Sequence, residues 1–580
     1  MRLFGGGKCP DDQLDGVADK ILDKCGGVPL AIITMASLLV GKSREAWLEV
    51  CSSPGFYHSK DNKQMDDTMW ILSLSYYDLP SDLKNCLLYL SVYPEDYFIM
   101  KNSLIWKWVA EGLIEKKSGT SLFQQGEEYF HHLINRNMIQ AVDTNEDGID
   151  EKGLICGCRV HDMVLDLIRD FSGGENFVTI SNGDKGTLLQ NKVRRLAHQN
   201  RMLKEMHQDN HMNMTQVRSL VVCQCDIDID SRVLHPTSFK LLRVLVLERC
   251  KVSKSDQYGL EHLGNLLHLR YLGLRHIWSA KLPEEIGALK LLQTLDLEGT
   301  YTVGELPSSI SLLPQLVCLR GYGSMRVPNG FLRKMTSLEE LHLCPDGSMY
   351  SESTLQFMKE LGNLREVRVL HVLQTMHDGN IGTWQLVLLQ SLGNLHKLQH
   401  LHLGSWNSAK NDAAREWDTA VLPRHLLVLY IRSIWFSRLP SCISPAHLPN
   451  LSHLYLFVDR MDEAALRVLG GLPELRSLTL SAPSSFLRID PCTATVGNIN
   501  AADGFFLELR YCRLVDWMVQ FELDEDSNST SVSFSIWNGR GDVPFGSKAK
   551  DEGCRVAPAV GIMMPNLQEL EFYVPLWEYL

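Results

Sequence analysis

The chain begins with a glycine-rich stretch, Gly5, Gly6 and Gly7, followed by Lys8. Glycine amides and a lysine can together hold phosphate groups, as in the phosphate loop G-x-x-x-x-G-K-[ST] that joins a strand to a helix. Here Cys9 follows the lysine, where a Ser or Thr would hold magnesium, and only four residues precede the glycines. No strand can therefore lead into them, and we predict an ordinary turn. No other stretch matches the phosphate-loop pattern.

The other residues that could do chemistry do not form a recognisable site. The fifteen cysteines are scattered without a C-x-x-C pair. Cys156/Cys158 and Cys223/Cys225 lack the second pair that a structural zinc site needs. We find no nucleophile with a matching base and no kinase loop, so we expect neither a metal site nor a conventional enzyme.

Composition predicts a folded, soluble protein. Of its 580 residues, 45% are hydrophobic and 22% charged, and the net charge of −12 argues against wholesale binding of nucleic acid. No apolar segment is long enough to span a bilayer, and the N-terminus does not resemble a signal peptide. Together with the scattered thiols, these features predict a protein of the reducing cytosol.

The pattern L-x-x-L-x-L recurs throughout the second half. Clear copies start at Leu242, Leu269, Leu292 and Leu338, and with looser copies the steps between Val193 and Leu364 are 22 to 27 residues. Further copies follow at Leu398, Leu426, Leu451, Leu475 and Leu567. This period is typical of leucine-rich repeats, whose strands stack into a solenoid with a curved parallel sheet. The step of 34 residues after Leu364 predicts an insertion, and the frame between residues 485 and 565 stays open.

In each strand the leucines point to the core and the intervening residues to the concave face. The early repeats place Tyr271, Arg275, Asp296, Glu298, Glu340 and His342 there. The later repeats are rich in aromatic residues, which often anchor interfaces. We therefore predict that a partner binds the later set: His400, His402, Tyr430, His453, Tyr455 and Phe457. The alternative is that these large side chains only cover an exposed sheet.

The first 180 residues show helical periodicity. After two apolar helical segments comes "DLKNCLLYLSV", then "NSLIWKWVAEGLI", which Asn102 or Ser103 could cap, and then "GEEYFHHLINRNM". Two short strands follow, joined by an acidic turn. Three helices and a two-stranded wing resemble a winged helix. The second helix has a single lysine, Lys107, and the wing is acidic, so we do not expect this module to bind DNA.

Three ordered motifs resemble those of plant nucleotide-binding leucine-rich-repeat (NB-ARC-LRR) disease resistance proteins of the coiled-coil (non-TIR) subclass. "KCGGVPLAI" (24–32) resembles their GLPL motif, "CLLYLSVYPEDYFIMKNSLIWKWVAEGLI" (86–114) their winged helix, and "RVHDMVLDLI" (159–168) their Met-His-Asp motif, with Val160 replacing the methionine. The resemblance implies a multidomain α and α/β chain. Residues 1–62 would be the helical end of NB-ARC, residues 63–175 a winged-helix domain, and residues 190–580 the leucine-rich-repeat solenoid.

The resemblance also implies two nucleotide contacts. Pro29 would lie against the adenine, and His161 would meet the β-phosphate of ADP. From the residues alone, "VHD" opening a helix is more simply a structural cap, with Asp162 at the helix start and His161 beside it. Because the family's phosphate loop is not found, we expect an N-terminally truncated receptor that does not itself bind ADP or ATP.

The resemblance therefore implies a plant intracellular immune receptor. Its repeats would recognise a pathogen effector or a guarded host protein, and its NB-ARC remnant would act as an ADP/ATP switch in defence signalling. The implied location is cytoplasmic, with the plasma-membrane periphery and the nucleus as alternatives, and contacts between NB-ARC and the repeats are expected within the chain. The competing hypothesis is a non-enzymatic protein-interaction module whose nucleotide-binding remnant is inert.

Overall fold

A computed structural model describes the greater part of the chain. The described residues are 15–25, 28–39, 42–52, 63–143, 154–181, 193–199, 214–227, 239–252, 260, 262–280, 282–302, 305–321, 326–344, 352–374, 381–405, 414–459, 461, 463–481, 487–489, 508–515, 518–523, 532–537, 566 and 568–573. The glycine-rich stretch at residues 5–8 and most of the acidic wing turn lie outside them.

The chain divides into two compact units. The first comprises Met1–Trp278 with Leu291–Asp296, and the second comprises Ser279–Lys290 with Leu297–Leu580. The division falls inside the repeats, so the first unit holds the N-terminal helices, the winged helix and the first repeats. The boundaries that we predict after residues 62 and 175 stay predictions.

The helices of the first unit, in chain order, are α1 (Asp15–Lys24), α2 (Pro29–Leu39), α3 (Arg44–Ser52), α4 (Lys63–Tyr77), α5 (Ser81–Tyr89), α6 (Lys101–Glu111), α7 (Leu122–Asn135) and α8 (Asp162–Gly174). The second unit holds α9 (Glu352–Leu361), α10 (Ile381–Leu392), α11 (Ala414–Asp418) and α12 (Glu463–Gly470). One-turn 3-10 helices, such as Glu284–Ala288 and Ser308–Leu312, connect several of the repeat strands.

The strands, in chain order, are β1 (Ile99–Met100), β2 (Gln140–Val142), β3 (Gly157–Arg159), β4 (Thr179–Ser181), β5 (Arg195–Gln199), β6 (Ser219–Cys223), β7 (Asp226–Ile227), β8 (Val244–Glu248), β9 (Lys251–Val252), β10 (Tyr271–Arg275), β11 (Trp278–Ala280), β12 (Thr294–Leu297), β13 (Tyr301–Thr302), β14 (Cys318–Gly321), β15 (Glu340–Leu343), β16 (Val369–Gln374), β17 (His400–Ser405), β18 (Val428–Phe436), β19 (His453–Val458), β20 (Ser477–Ser481), β21 (Leu487–Ile489), β22 (Tyr511–Val515), β23 (Met518–Leu523), β24 (Val532–Trp537) and β25 (Glu569–Tyr573).

The N-terminal helices α1 to α4 share a small apolar core. Its buried members include Ile21, Met35, Leu38, Trp47 and Ile71. Since α2 is almost wholly apolar, it can supply this core from several of its faces. The predicted GLPL-like segment therefore forms part of a packed helical subdomain.

The next elements form the predicted winged helix. Strand β3 pairs antiparallel with β2 and with the short β1, so the wing has three strands where the sequence predicted two. Helix α7 begins with a capping box between Ser121 and Gln124. Helix α6 begins at Lys101 after the N-cap Met100, so the predicted cap at Asn102 or Ser103 is wrong. It ends at Gly112, whose φ of 75° is the left-handed conformation that glycine tolerates best.

The predicted parallel sheet of leucine-rich repeats is confirmed. Fifteen of the described strands belong to it. Successive repeats align leucine on leucine: Leu220, Leu245 and Leu272 in the first unit, and Leu401, Leu429 and Leu454 in the second. All six of these side chains are buried. Because one strand cannot bury its leucines alone, each repeat depends on its neighbours for its core.

Two irregular parts of the repeats have a structural explanation. Helix α10 occupies the predicted insertion after Leu364. In the region whose frame the sequence left open, β21, β24 and β23 form a separate antiparallel sheet. The parallel ladder itself runs from β20 to β22 and then to β25.

Candidate functional site

A row of stacked rings crosses five neighbouring strands of the second unit. The register places His342, His371, His402, Tyr430 and Tyr455 at equivalent positions of β15 to β19. Neighbouring ring centroids lie 3.9, 3.7, 5.3 and 4.2 Å apart along this row, and every pair is stacked. We call these five residues the ring ladder. It arises because the same position of each repeat carries a flat side chain at the strand spacing.

The ladder ends in a cluster of larger rings. Tyr455 contacts Phe457 edge to face at 5.4 Å, and Phe457 contacts Trp435 at 5.2 Å. An irregularity in the pairing of β18 with β19 brings Trp435 opposite Phe457. Tyr430, Tyr455, Phe457 and Trp435 are all partly exposed. This end of the ladder therefore presents partly exposed aromatic surface, which is common at recognition sites.

Two histidines of the ladder, His371 and His402, resist protonation. Burial lowers the pKa of both His371 and His402 well below the usual value, and the neighbouring imidazoles lower it further. At the start of the ladder, Arg320 Nε lies 2.8 Å from Glu340 Oε1, and His342 Nε2 lies 3.0 Å from the same oxygen. Arg320 also pairs with Glu298. One end of the ladder therefore contains paired charges, and the other end contains aromatic rings.

The structure sorts the six predicted partner-binding residues into two rows. His402, Tyr430, Tyr455 and Phe457 belong to the ladder or its aromatic end. His400 and His453 lie two residues earlier in their strands, and each is opposite Val428 of β18. Sequence reasoning did not place His371 in the site, because the copy at Leu364 is loose. Aligning the strand after Leu364 with the strand that contains His402 would have identified His371.

In the first unit, by contrast, α6 covers the equivalent positions. Ser103 Oγ lies 2.8 Å from the hydroxyl of Tyr271, and Tyr271 donates to Asp296 Oδ2 at 2.9 Å. Tyr271, Arg275 and Asp296 are buried. Helix α6 of the winged helix therefore covers these early concave positions within the first unit.

A buried group of four charges lies in this contact. Lys107 Nζ lies 3.6 Å from Glu248 Oε2, Arg275 donates to Glu248 Oε1 at 2.8 Å, and Arg275 Nε lies 3.7 Å from Asp296 Oδ2. Lys107 also donates to the hydroxyl of Tyr93. Two cations and two carboxylates balance, as buried charges must. Burial alone would raise the pKa of Glu248, but Arg275 and Lys107 outweigh it, and the pKa lies below its usual value.

Comparison with known proteins assigns the family. A model of the leucine-rich repeat region matches residues 216–580, and a model of the winged-helix domain of disease resistance proteins matches residues 92–168. The chain belongs to the plant disease resistance proteins with leucine-rich repeats. It is 30% identical to disease resistance protein Pik-2 of Oryza sativa subsp. japonica over 82% of this chain and 48% of that protein. It is 28% identical to disease resistance RPP13-like protein 4 of Arabidopsis thaliana over 77% of this chain and 51% of that protein.

The chain thus spans about half the length of these curated relatives. Among solved structures, a Listeria monocytogenes internalin matches 47% of this chain and 75% of its own, at 18% identity and a TM-score of 0.33. In the described part of this disease resistance protein, no helix combines the length and the apolar character needed to cross a membrane.

Lys107 of α6 is not available to nucleic acid in this disease resistance protein. Lys107 is 2% exposed and is held by Glu248 and Tyr93. Its charge is paired within the first unit and cannot reach a phosphate.

His161 is the N-cap of α8. Its Nδ1 accepts a hydrogen bond from the Met163 amide at 3.2 Å, while Asp162 is the first residue of the helix. The cap predicted from "VHD" is confirmed, but the capping side chain is His161 and not Asp162. An imidazole that accepts at Nδ1 has its proton on Nε2 when neutral, so it can still donate to a phosphate oxygen. His161 therefore has the donor that the implied contact with the β-phosphate of ADP would need.

Pro29 is the first residue of α2 and is exposed. Proline suits this position because its missing amide hydrogen would have no partner in the first helical turn. An exposed proline ring can also lie against a flat heterocycle. The helix start therefore explains why proline occupies position 29. Its exposed ring is also compatible with the implied adenine contact.

In the described part of the chain, the cysteines are present as thiols. Cys158, Cys223, Cys225 and Cys250 are buried, and burial raises the pKa of the Cys250 thiol to about 12. Such thiols behave as small apolar groups and do not react readily. Across the described ranges, no group of three His, Cys, Asp or Glu side chains is arranged to hold a metal ion.

Proposed function

We propose that this chain is the winged-helix and recognition part of an intracellular plant immune receptor, in which the later repeats bind a pathogen effector or a guarded host protein. The ring ladder and its partly exposed aromatic end support this proposal most directly. Its relatives are named disease resistance proteins, and stacked rings held by neighbouring strands lose little side-chain freedom when a partner binds. The proposed location is the cytoplasm.

The partner would bind at the later repeats and not at the early ones. Tyr271, Arg275 and Asp296 are buried beneath α6, whereas the aromatic end of the ladder is accessible. Large rings that pack on one another keep their orientation, so their exposed edges form a preformed surface. Recognition would not require His371 or His402 to be ionised, since the pKa of each lies well below its usual value.

The experiment is co-expression in leaves with a panel of secreted pathogen proteins, scored by direct binding of purified pairs and by cell death. For a protein that binds, the double variant Tyr430→Ala/Tyr455→Ala should weaken binding by at least about tenfold, because each residue is an aromatic anchor. The matched control is Leu312→Ala/Leu386→Ala, which removes two exposed apolar side chains of the same unit. Equal losses in both variants would reject the ladder as the binding surface.

We further propose that ADP and ATP act on the longer receptor through His161 and Pro29, and that this chain alone has no catalytic activity. His161 can donate to a phosphate oxygen, but the sequence presents no phosphate loop to hold the rest of the nucleotide. Calorimetry on this chain should therefore detect no micromolar binding of ADP or ATP. Micromolar binding would contradict this proposal and leave the recognition proposal untouched.

If an upstream nucleotide-binding segment is restored by fusion from a relative, His161→Ala should release the ADP-bound state. The lost hydrogen bond to a charged group is worth roughly 1.5–3 kcal/mol, which shifts a two-state ratio by about one to two orders of magnitude. We expect cell death in leaves without a pathogen protein. In the present chain the same change should cost only the cap, about 1 kcal/mol. A silent fusion would limit His161 to its capping role.

A further inference from the structure

An exposed arginine lies beside the aromatic end of the ring ladder. Arg432 follows Tyr430 by two residues in β18, so both side chains point to the same face of the sheet. The intervening Ile431 is buried, as this alternation requires. Arg432 itself is exposed. The concave face therefore carries a positive charge roughly 7 Å along the strand from the stacked rings.

The neighbouring strands leave space around Arg432. The register places Gly404 of β17 opposite it, and glycine has no side chain that could cover the guanidinium group. On the other side, the regular pairing of β18 with β19 is interrupted between Tyr430 and Trp435, and Arg432 lies within this interruption. A ligand can therefore approach the guanidinium group from the concave face.

The charge of Arg432 is not compensated among the described residues. Its guanidinium group makes no ion pair and no hydrogen bond there. At the other end of the ladder, by contrast, Arg320 is paired with both Glu298 and Glu340. The N–H donors of Arg432 are therefore available to an incoming carboxylate.

We propose that the aromatic end of the ladder and Arg432 together recognise a protein segment that carries an apolar side chain and a carboxylate within two residues of each other. This inference rests on the proposed recognition of a protein partner by the later repeats. The apolar side chain packs on Tyr430, Tyr455 and Phe457, and the carboxylate forms two parallel hydrogen bonds with Arg432. The spacing follows from strand geometry, because two residues of an extended segment span about 7 Å, as Tyr430 and Arg432 do.

A carboxylate suits this surface better than a phosphate group. A phosphorylated side chain carries nearly two negative charges, whereas Arg432 supplies one positive charge. The ladder histidines His371 and His402 add none, because burial lowers the pKa of each well below its usual value. When the packed rings exclude water from the contact, a single ion pair becomes stronger because the local dielectric falls.

The test is selection from a random peptide library displayed on phage, with the purified chain as the bait. We expect the enriched peptides to carry Asp or Glu within two residues of an aromatic or large aliphatic residue. Selection on Arg432→Glu should instead enrich Lys or Arg at that distance, because the variant repels a carboxylate and attracts a cation. A synthetic peptide from the first selection should bind at least about threefold more weakly to Arg432→Gln and at least about tenfold more weakly to Arg432→Glu.

The matched control is Arg424→Glu, which reverses the charge of another exposed arginine of the second unit, outside the strands. It should change the affinity of the peptide by less than about twofold. The double variant Tyr430→Ala/Tyr455→Ala should weaken binding by at least about tenfold, which assigns the peptide to the aromatic end of the ladder.

The outcomes separate this inference from the recognition proposal. Peptides that depend on Tyr430 and Tyr455 but show no acidic preference, or that lose equal affinity in Arg432→Glu and Arg424→Glu, would overturn this inference and leave the recognition proposal standing. A peptide that binds more than about tenfold tighter when phosphoserine replaces its acidic residue would show that the surface selects phosphate. If no enriched peptide depends on Tyr430 and Tyr455, both proposals fail.

Discussion

The buried charges between α6 and the first repeats allow a quantitative prediction. Glu248 faces Arg275 at 2.8 Å and Lys107 at 3.6 Å, and its side chain is 3% exposed. At an effective dielectric of 20, each of these attractions is about 4–6 kcal/mol before the cost of desolvation. Glu248→Gln removes both and leaves two buried cations facing Asp296 alone. We expect it to lower the free energy of unfolding by about 3–5 kcal/mol.

Restoring the charge balance should recover part of this loss. Lys107→Met alone leaves two carboxylates with Arg275, whereas Glu248→Gln/Lys107→Met leaves one cation and one carboxylate. The double variant should therefore lose about 1–3 kcal/mol less than the sum of the two single variants. The measurement is urea unfolding followed by tryptophan fluorescence, with hydrogen exchange of α6 peptides to assign the change to the first unit.

The control is the exposed ion pair of Lys397 and Glu366, whose side chains are 56% and 48% exposed. The corresponding substitutions there should change stability by less than about 1 kcal/mol. The reasoning is refuted if Glu248→Gln is as stable as the unmodified chain, or if the effects of the two single variants simply add. Either result would mean that water reaches these charges.

Three further predictions concern local packing and protonation. Gly157→Ala should destabilise the wing by more than about 1 kcal/mol in thermal unfolding, because its methyl group would collide with the carbonyl oxygen of Ile99. Gly173→Ala in α8 meets open space and should be neutral or stabilising. Stability should fall as pH drops below about 6.5, by up to about 1.4 kcal/mol per pH unit for each of His371 and His402. The unfolded chain then binds protons that these two imidazoles resist in the folded chain. His371→Phe should therefore flatten the profile of urea midpoint against pH, and an unchanged profile would contradict the pKa argument. In native alkylation read by mass spectrometry, Cys156, which is partly exposed, should react before the buried Cys158, and equal rates would count against this burial difference.

The sequence by itself determined the elements whose signal is local or repeated. The spacing of leucines gave the parallel sheet, because a leucine every other residue can only be buried when neighbouring repeats stack. The winged helix followed from the order of helices and strands, and the capping role of "VHD" followed from a helix that needs an acceptor at its first turn. The family motifs then identified the chain, since three of them occur in the expected order.

Only the tertiary structure decided which concave positions remain accessible. Tyr271 and Tyr430 are both strand residues of leucine-rich repeats, yet α6 buries the first and the second stays partly exposed. Likewise, Lys107 is paired with Glu248, which lies more than a hundred residues later in the chain. A repeat pattern fixes the direction in which a side chain points. The groups that contact this side chain come from distant parts of the chain. A repeat pattern in a single sequence carries no information about those contacts.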